Sequence, residues 1–163
     1  RISSYLKRAV GAAEDAKFAT HNGFDWEGIQ KAYEKNLREG EIVAGGSTIT
    51  QQLAKSLFFS GERAWWRKAQ EAVIAVMLET IMSKRRILEI YLNVIEWDDG
   101  VFGAEAAARH HYGTSAASLS AEQAARLAAI LPSPRRYGPG SNTAYLQRRT
   151  QTILARMYGA QLP

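Results

Sequence analysis

Cysteine is absent from the sequence, which rules out disulfides and thiolate metal sites and leaves the redox compartment undetermined. Long apolar runs are missing too. The longest, Ala72 to Leu78, falls far short of the roughly 20 residues needed to span a bilayer. No signal-peptide pattern opens the chain, and its start at Arg1 rather than Met raises the expectation that a preceding segment has been removed. There is no internal repeat and no run of alternating strand residues, so the strand content should be at most a small hairpin. A basic tail is also lacking. The cations occur in short groups, Arg67-Lys68, Lys84-Arg85-Arg86 and Arg135-Arg136, within helical patterns, which argues against nucleic acid as a partner.

What is present suits one folded domain over residues 1–163, since a chain of this length with 46% hydrophobic and 23% charged residues can bury a substantial core. The formal charge of +5 favours anionic partners such as phosphates or an acidic membrane surface. Helical spacing of Ile2, Tyr5, Leu6, Ala9 and Val10 predicts a helix to about Ala13 that delivers Glu14-Asp15 at its end. Asp25 can cap the next helix, with Trp26, Ile29, Tyr33 and Leu37 on one face. The polar, glycine-rich stretch Arg38 to Gly46 reads as a mobile loop. Thr48 and Gln51 fit a capping box for a helix through Leu57, whose N-terminal amides should attract phosphate or carboxylate.

From Ala64 to Met82 apolar residues surround the helix, which predicts a central, buried element broken at Ser83. Helical spacing resumes from Arg86 to Asn93, Asp98 to Gly103 reads as a turn, and Ala104 to His111 as a short helix. Ser120 and Gln123 form a second capping box for a helix that stops near Pro132, and Tyr145 to Tyr158 forms another helix. The fold class is therefore mainly α.

Polar residues crowd three segments where a core pattern does not need them: Glu14 to Phe18 with His21, Gly45 to Lys55, and Arg67-Lys68 with Glu71. Arg67 and Lys68 lie four and three residues before Glu71, on one helix face. On a buried helix an acid needs a partner, so Glu71 should be held by a cation or a metal. Capping explains Thr48 and Gln51 but not Gln52 and Lys55, which fit hydrogen-bond donors to a sugar or phosphate. His21, His110 and His111 lack metal-ligand spacing and are expected to pack or hydrogen-bond.

These segments carry a family resemblance. Glu14-Asp-Ala-Lys-Phe18 with His21, Gly23 and Asp25 resembles the first motif of family 51 peptidoglycan glycosyltransferases, and Gly45 to Lys55 resembles the second. Arg67-Lys68-x-x-Glu71 is similar to the third, Lys84 to Asn93 to the fourth, and Gly103-Ala-Glu-Ala-Ala-Ala to the fifth. The five occur in order across nearly the whole chain. Asp99-Gly-Val-Phe-Gly103 resembles the monofunctional branch, which has no transpeptidase domain.

The resemblance implies a lysozyme-like helical lobe, a smaller mobile membrane-proximal lobe and an N-terminal transmembrane helix. It implies location at the bacterial inner membrane with the catalytic domain on the outer face. Lipid II would be the acceptor and a lipid-linked glycan strand the donor, joined β-1,4 with inversion and release of undecaprenyl pyrophosphate. Glu14 and Glu71 would be the catalytic residues, Glu14 as general base and Glu71 orienting the cations or binding the metal. Asp15, Phe18, His21, Gly46, Ser47, Thr48, Gln51, Gln52, Lys55, Arg67, Lys68 and Lys84 would contact substrate. A divalent cation, magnesium or manganese, is implied with Glu71 as its ligand, and a moenomycin-type phosphoglycolipid as inhibitor.

Chemistry fits those roles: a sugar 4-hydroxyl needs a general base, and a departing pyrophosphate needs its charge neutralised. A lysozyme-like hydrolase or lytic transglycosylase is the alternative, since a cleft glutamate in a helical lobe serves that reaction too. The cations favour the pyrophosphate donor. A non-catalytic module for anionic lipid or nucleic acid would explain the charge but not the paired glutamates.

Overall fold

The computed structural model describes residues 1–39, 46–59 and 65–163. Among them are eight α-helices, one short 3-10 turn and one two-stranded antiparallel hairpin, so the chain is mainly α as expected and consistent with a lysozyme-like lobe. Helix α1 (Ser4–Glu14) starts where the Ser3 hydroxyl accepts the Tyr5 amide at 3.2 Å. Its buried stripe of Leu6, Ala9 and Val10 packs on α7 (Ala121–Ile130) and α8 (Ala144–Met157). Four buried alanines of α7, Ala124, Ala125, Ala128 and Ala129, let the helices approach closely, while Leu127 and Ile130 fill the remaining volume.

A second group forms around α3 (Ile49–Phe58), which packs against α4 (Trp65–Ile81) and α5 (Lys84–Val94). Both capping boxes read from sequence are present, at Thr48 with Gln51 and at Ser120 with Gln123. The fourth segment begins earlier than its apolar spacing suggests. Ser83 accepts the Arg86 amide at 3.3 Å, so this residue starts α5 at Lys84 as well as ending the helix before it.

Buried apolar residues of both groups join one core, which extends to Trp97 on β1 (Glu96–Asp98) and to α6 (Ala104–Tyr112). The Trp97 indole donates to the Leu127 carbonyl at 3.1 Å and ties the hairpin to α7. The segment read as a turn thus contains the hairpin, completed by β2 (Val101–Phe102). Gly103 follows at φ +85°, and a Cβ there would lie 2.6 Å from the Asn93 carbonyl, so only glycine fits between β2 and α6.

The expectation of a central, buried α4 is corrected. Glu71, Ala75 and Leu78 are buried against its neighbours, but Val73, Val76 and Met77 are exposed and Ile81 is 74% exposed. A helix apolar all round needs apolar surroundings on every side, and among the described residues α3 and α5 cover only one face. On α2 (Trp26–Glu39) the residues Trp26, Tyr33 and Leu37 are exposed as well. The loop expected from Arg38 to Gly46 falls mostly outside the described residues.

Candidate active site

Glu14 is the last residue of α1, where the chain leaves helical geometry at Asp15 (φ −159°, ψ 80°). Its carboxylate is largely sequestered, with 11% of the side chain exposed. Gln52 Nε2 donates to one oxygen at 3.2 Å, and an Arg149 guanidinium nitrogen lies 3.5 Å from the other. Burial raises the pKa above the usual carboxylate value. The Gln52 hydrogen bond and the Arg149 charge pull it back, and the Asp15 charge pushes it up again. This is the environment of a base stronger than a free carboxylate.

Gln52 is itself held. The Tyr91 hydroxyl donates to its Oε1 at 2.8 Å, and its Nε2 also reaches the Ser47 carbonyl at 3.4 Å. The Lys68 ammonium donates to Ser47 Oγ at 2.7 Å and to Glu71 Oε1 at 2.5 Å. A continuous polar path therefore runs from Glu14 through Gln52, Ser47 and Lys68 to Glu71, joining the three segments singled out in the sequence. Glu71 is buried and paired with a lysine, as its helix position required.

A cleft of about 200 Å³ opens beside Glu14, lined also by Asp15, Gly28, Gly46, Ser47 and Thr48. Gly46 packs so closely on α2 that a Cβ would stand 2.9 Å from the Ile29 backbone. Glu71 does not line this cleft; it reaches its wall through Lys68 and Ser47.

The Asp15 carboxylate turns the other way. It accepts the Ile49 amide at 3.1 Å and His21 Nε2 at 2.7 Å. The carboxylate expected at the N-terminus of α3 is thus the protein's own. His21 Nδ1 faces the Lys84 ammonium at 3.3 Å, and since lysine can only donate, the ring carries its proton on Nε2. Lys84 is also bound by Glu79 at 2.7 Å and sits 4.6 Å from the Phe18 ring centroid. Phe18 is only 3% exposed, and Thr48 and Gln51 are buried within their capping box. Of these residues Asp15 and Thr48 line the cleft, whereas Phe18, His21, Gln51 and Lys84 are not among its lining. The cations at the surface are Lys55 and Lys68; Arg67, half-buried, lies over the Trp66 ring at 5.4 Å.

His110 and His111 lie elsewhere. His110 Nε2 pairs with Asp98 at 2.8 Å, clamping the hairpin to α6, and Asp98, His110 and His111 bring possible ligand atoms within 4.8 Å of one another. Linear spacing did not reveal that proximity. Adjacent helix residues diverge by about 100°, so the hydrogen-bonded clamp is the better description.

Sequence reasoning missed three residues of this site: Arg149, Tyr91 and Glu79. Tyr91 stands inside the fourth motif as a residue indistinguishable from core, and Glu79 lies two turns beyond Glu71. Arg149 had no local signal. It reaches Glu14 only because α8 packs on α1.

A desolvated carboxylate joined through Gln52 and Ser47 to the Lys68 ammonium is suited to group transfer with an anionic donor. The chain matches the transglycosylase family over residues 1–158, and it belongs to that family. It is 65% identical to a biosynthetic peptidoglycan transglycosylase of Nitrosospira multiformis and 66% identical to one of Methylobacillus flagellatus. In each case the match covers all 163 residues of this chain and 71% of the relative. A protein of the same name from Laribacter hongkongensis is 64% identical, with 72% of its length covered.

Proposed function

We infer that the protein is a peptidoglycan glycosyltransferase that joins lipid-linked disaccharide units into glycan strands, with Glu14 as the general base. The observation that carries this reading is the desolvated Glu14 carboxylate connected by Gln52 and Ser47 to the Lys68–Glu71 pair. Glu14 takes the proton from the acceptor 4-hydroxyl as its oxygen attacks the anomeric carbon of the donor. The bond to the lipid pyrophosphate breaks in the same displacement, which inverts the anomeric centre and yields a β-1,4 linkage. Lys68, Arg67 and Lys55 offset the charge developing on the pyrophosphate. Glu71 aims Lys68 from beneath.

A divalent cation, magnesium or manganese, belongs to the same proposal. A hard cation riding on a substrate pyrophosphate asks only one or two carboxylates of the protein, and Glu71 fits as that ligand. Bound there, it would add to the neutralisation of the leaving group. Lys68 already pairs with Glu71. The cation therefore supplements the lysines rather than replacing them.

The activity is one of the cell envelope. We place the catalytic domain on the outer face of the inner membrane, resting on the lipid surface. The exposed apolar side chains of α2 and α4, Trp66 among them, with Phe58 at the end of α3, support that placement. Among the described residues, no helix is long and apolar enough to cross a membrane. The smaller mobile lobe and binding of a moenomycin-type phosphoglycolipid at Lys55, Arg67 and Lys68 are part of this reading.

The test is to incubate the protein with labelled lipid II and separate the products by size. Polymer supports the reading. Cleavage of preformed glycan without polymerisation would instead identify the lysozyme-like hydrolase, and lipid binding without turnover a non-catalytic module.

A further inference from the structure

We propose that Tyr91 is a positioning residue for the transfer reaction, holding the Gln52 side-chain amide in the one orientation that presents its N–H to Glu14. A carboxamide has nearly the same shape when turned by 180°, but not the same chemistry. Turned one way Gln52 offers Glu14 a donor, and turned the other way it sets an acceptor oxygen against a carboxylate. The shape of the pocket alone cannot choose. Tyr91 chooses, together with the Ser47 carbonyl that accepts from the same Nε2 at 3.4 Å, because its hydroxyl donates to Gln52 Oε1 at 2.8 Å and so fixes which end of the amide faces Glu14 at 3.2 Å.

Three features make the orientation firm. Tyr91 is fully buried on α5 among Ile87, Leu88 and Leu92, so its ring cannot swing away and water has no access to replace it. Gln52 Oε1 is the only acceptor among the described residues hydrogen-bonded to the phenol, so a flipped amide leaves that proton unpaired. Burial, with the Glu14 and Asp15 charges added, pushes the phenol pKa well above its ordinary value and keeps the proton in place. The Tyr91 hydroxyl bonds Gln52 rather than Glu14, and Tyr91 is not among the residues lining the cleft; it acts through Gln52. This inference rests on Glu14 as the base.

The experiment compares wild type, Tyr91→Phe, Gln52→Ala, the double variant and Glu14→Gln by steady-state polymerisation of labelled lipid II across pH. The change Tyr91→Phe keeps the ring and the packing. Loss of a hydrogen bond to a charged group should lower kcat roughly 10- to 100-fold with KM little changed. Gln52 holds the Glu14 pKa down, so freeing the amide should move the acid limb of the kcat profile to higher pH. Gln52→Ala should show the same shift, and adding Tyr91→Phe to it should shift nothing further. A further shift in the double variant would overturn the proposal. So would a wild-type profile for Tyr91→Phe when Glu14→Gln is inactive, which leaves the base assignment standing. Wild-type turnover by Glu14→Gln would overturn the base assignment and the proposal with it. Unchanged thermal melting of Tyr91→Phe separates loss of positioning from loss of fold, and kcat loss that tracks a fall in Tm counts against it.

Discussion

Replacing Glu14 by Gln separates chemistry from architecture, because the structure gives opposite signs to the two effects. The amide keeps the shape, can turn its oxygen toward Gln52 Nε2, and removes the cleft carboxylate whose pKa burial raises. Loss of a general base costs about 10²- to 10⁴-fold in rate, or about 2.7 to 5.4 kcal/mol in the barrier. Stability should move the other way. Burial raises the folded pKa of Glu14 above its unfolded value, so protonation favours the fold. That contribution is fully present below the unfolded pKa and is lost as pH rises through the folded one. At pH 7 the wild type therefore carries a charged, desolvated carboxylate that the glutamine variant lacks. Glu14→Gln should melt at or above the wild-type temperature at pH 7, with the difference vanishing toward pH 4. Lipid II binding should persist. Polymerisation followed by gel separation, with calorimetric melting at both pH values, reads all of this. Normal turnover refutes the role of Glu14, and a loss of turnover accompanied by a lower Tm at pH 7 refutes the reasoning about its environment.

Glu71→Gln should differ from Glu14→Gln by changing donor-analogue affinity and divalent-cation dependence together with rate; loss of turnover alone, with both others intact, would assign Glu71 a direct part in proton transfer. Asp15→Asn weakens the bonds to His21 and the Ile49 amide in a buried setting and should lower stability by about 2–3 kcal/mol by denaturant titration; an unchanged midpoint contradicts its supporting role. Gly103→Ala meets the Asn93 carbonyl and an unfavourable φ, so a loss of at least about 1–3 kcal/mol is expected on melting. A moenomycin-type phosphoglycolipid should block polymerisation and bind less tightly to Lys68→Met in calorimetry; unchanged polymerisation in its presence counts heavily against the assignment.

Local chemistry was legible in the sequence wherever partners lie within a few residues. The capping boxes at Thr48 and Ser120 and the Lys68–Glu71 pair follow from spacing on one helix, and they appear as read. The partners of Glu14 were not legible, because Gln52 and Arg149 reach it, and Tyr91 reaches Gln52, through packing among four helices. Gln52 itself stood out as a hydrogen-bond donor, and in the structure its amide donates to Glu14. The misreading of α4 has a different origin. Apolar residues all round a helix mean apolar surroundings, and the pattern does not say whether protein or lipid provides them.

Arg149 gives the site an order of assembly in time. Synthesis delivers Glu14 at the end of α1, but its guanidinium neighbour follows 135 residues later on a helix that must dock against α1. Until α8 settles, the carboxylate lacks one of its two polar contacts and α1 lacks part of the surface that buries it. If Glu14 is the base, as proposed, it would be finished only when the helical lobe has closed, and an immature chain would hold that glutamate without its final environment. Catalytic competence would then be a late property of folding, set by the contact between two distant helices.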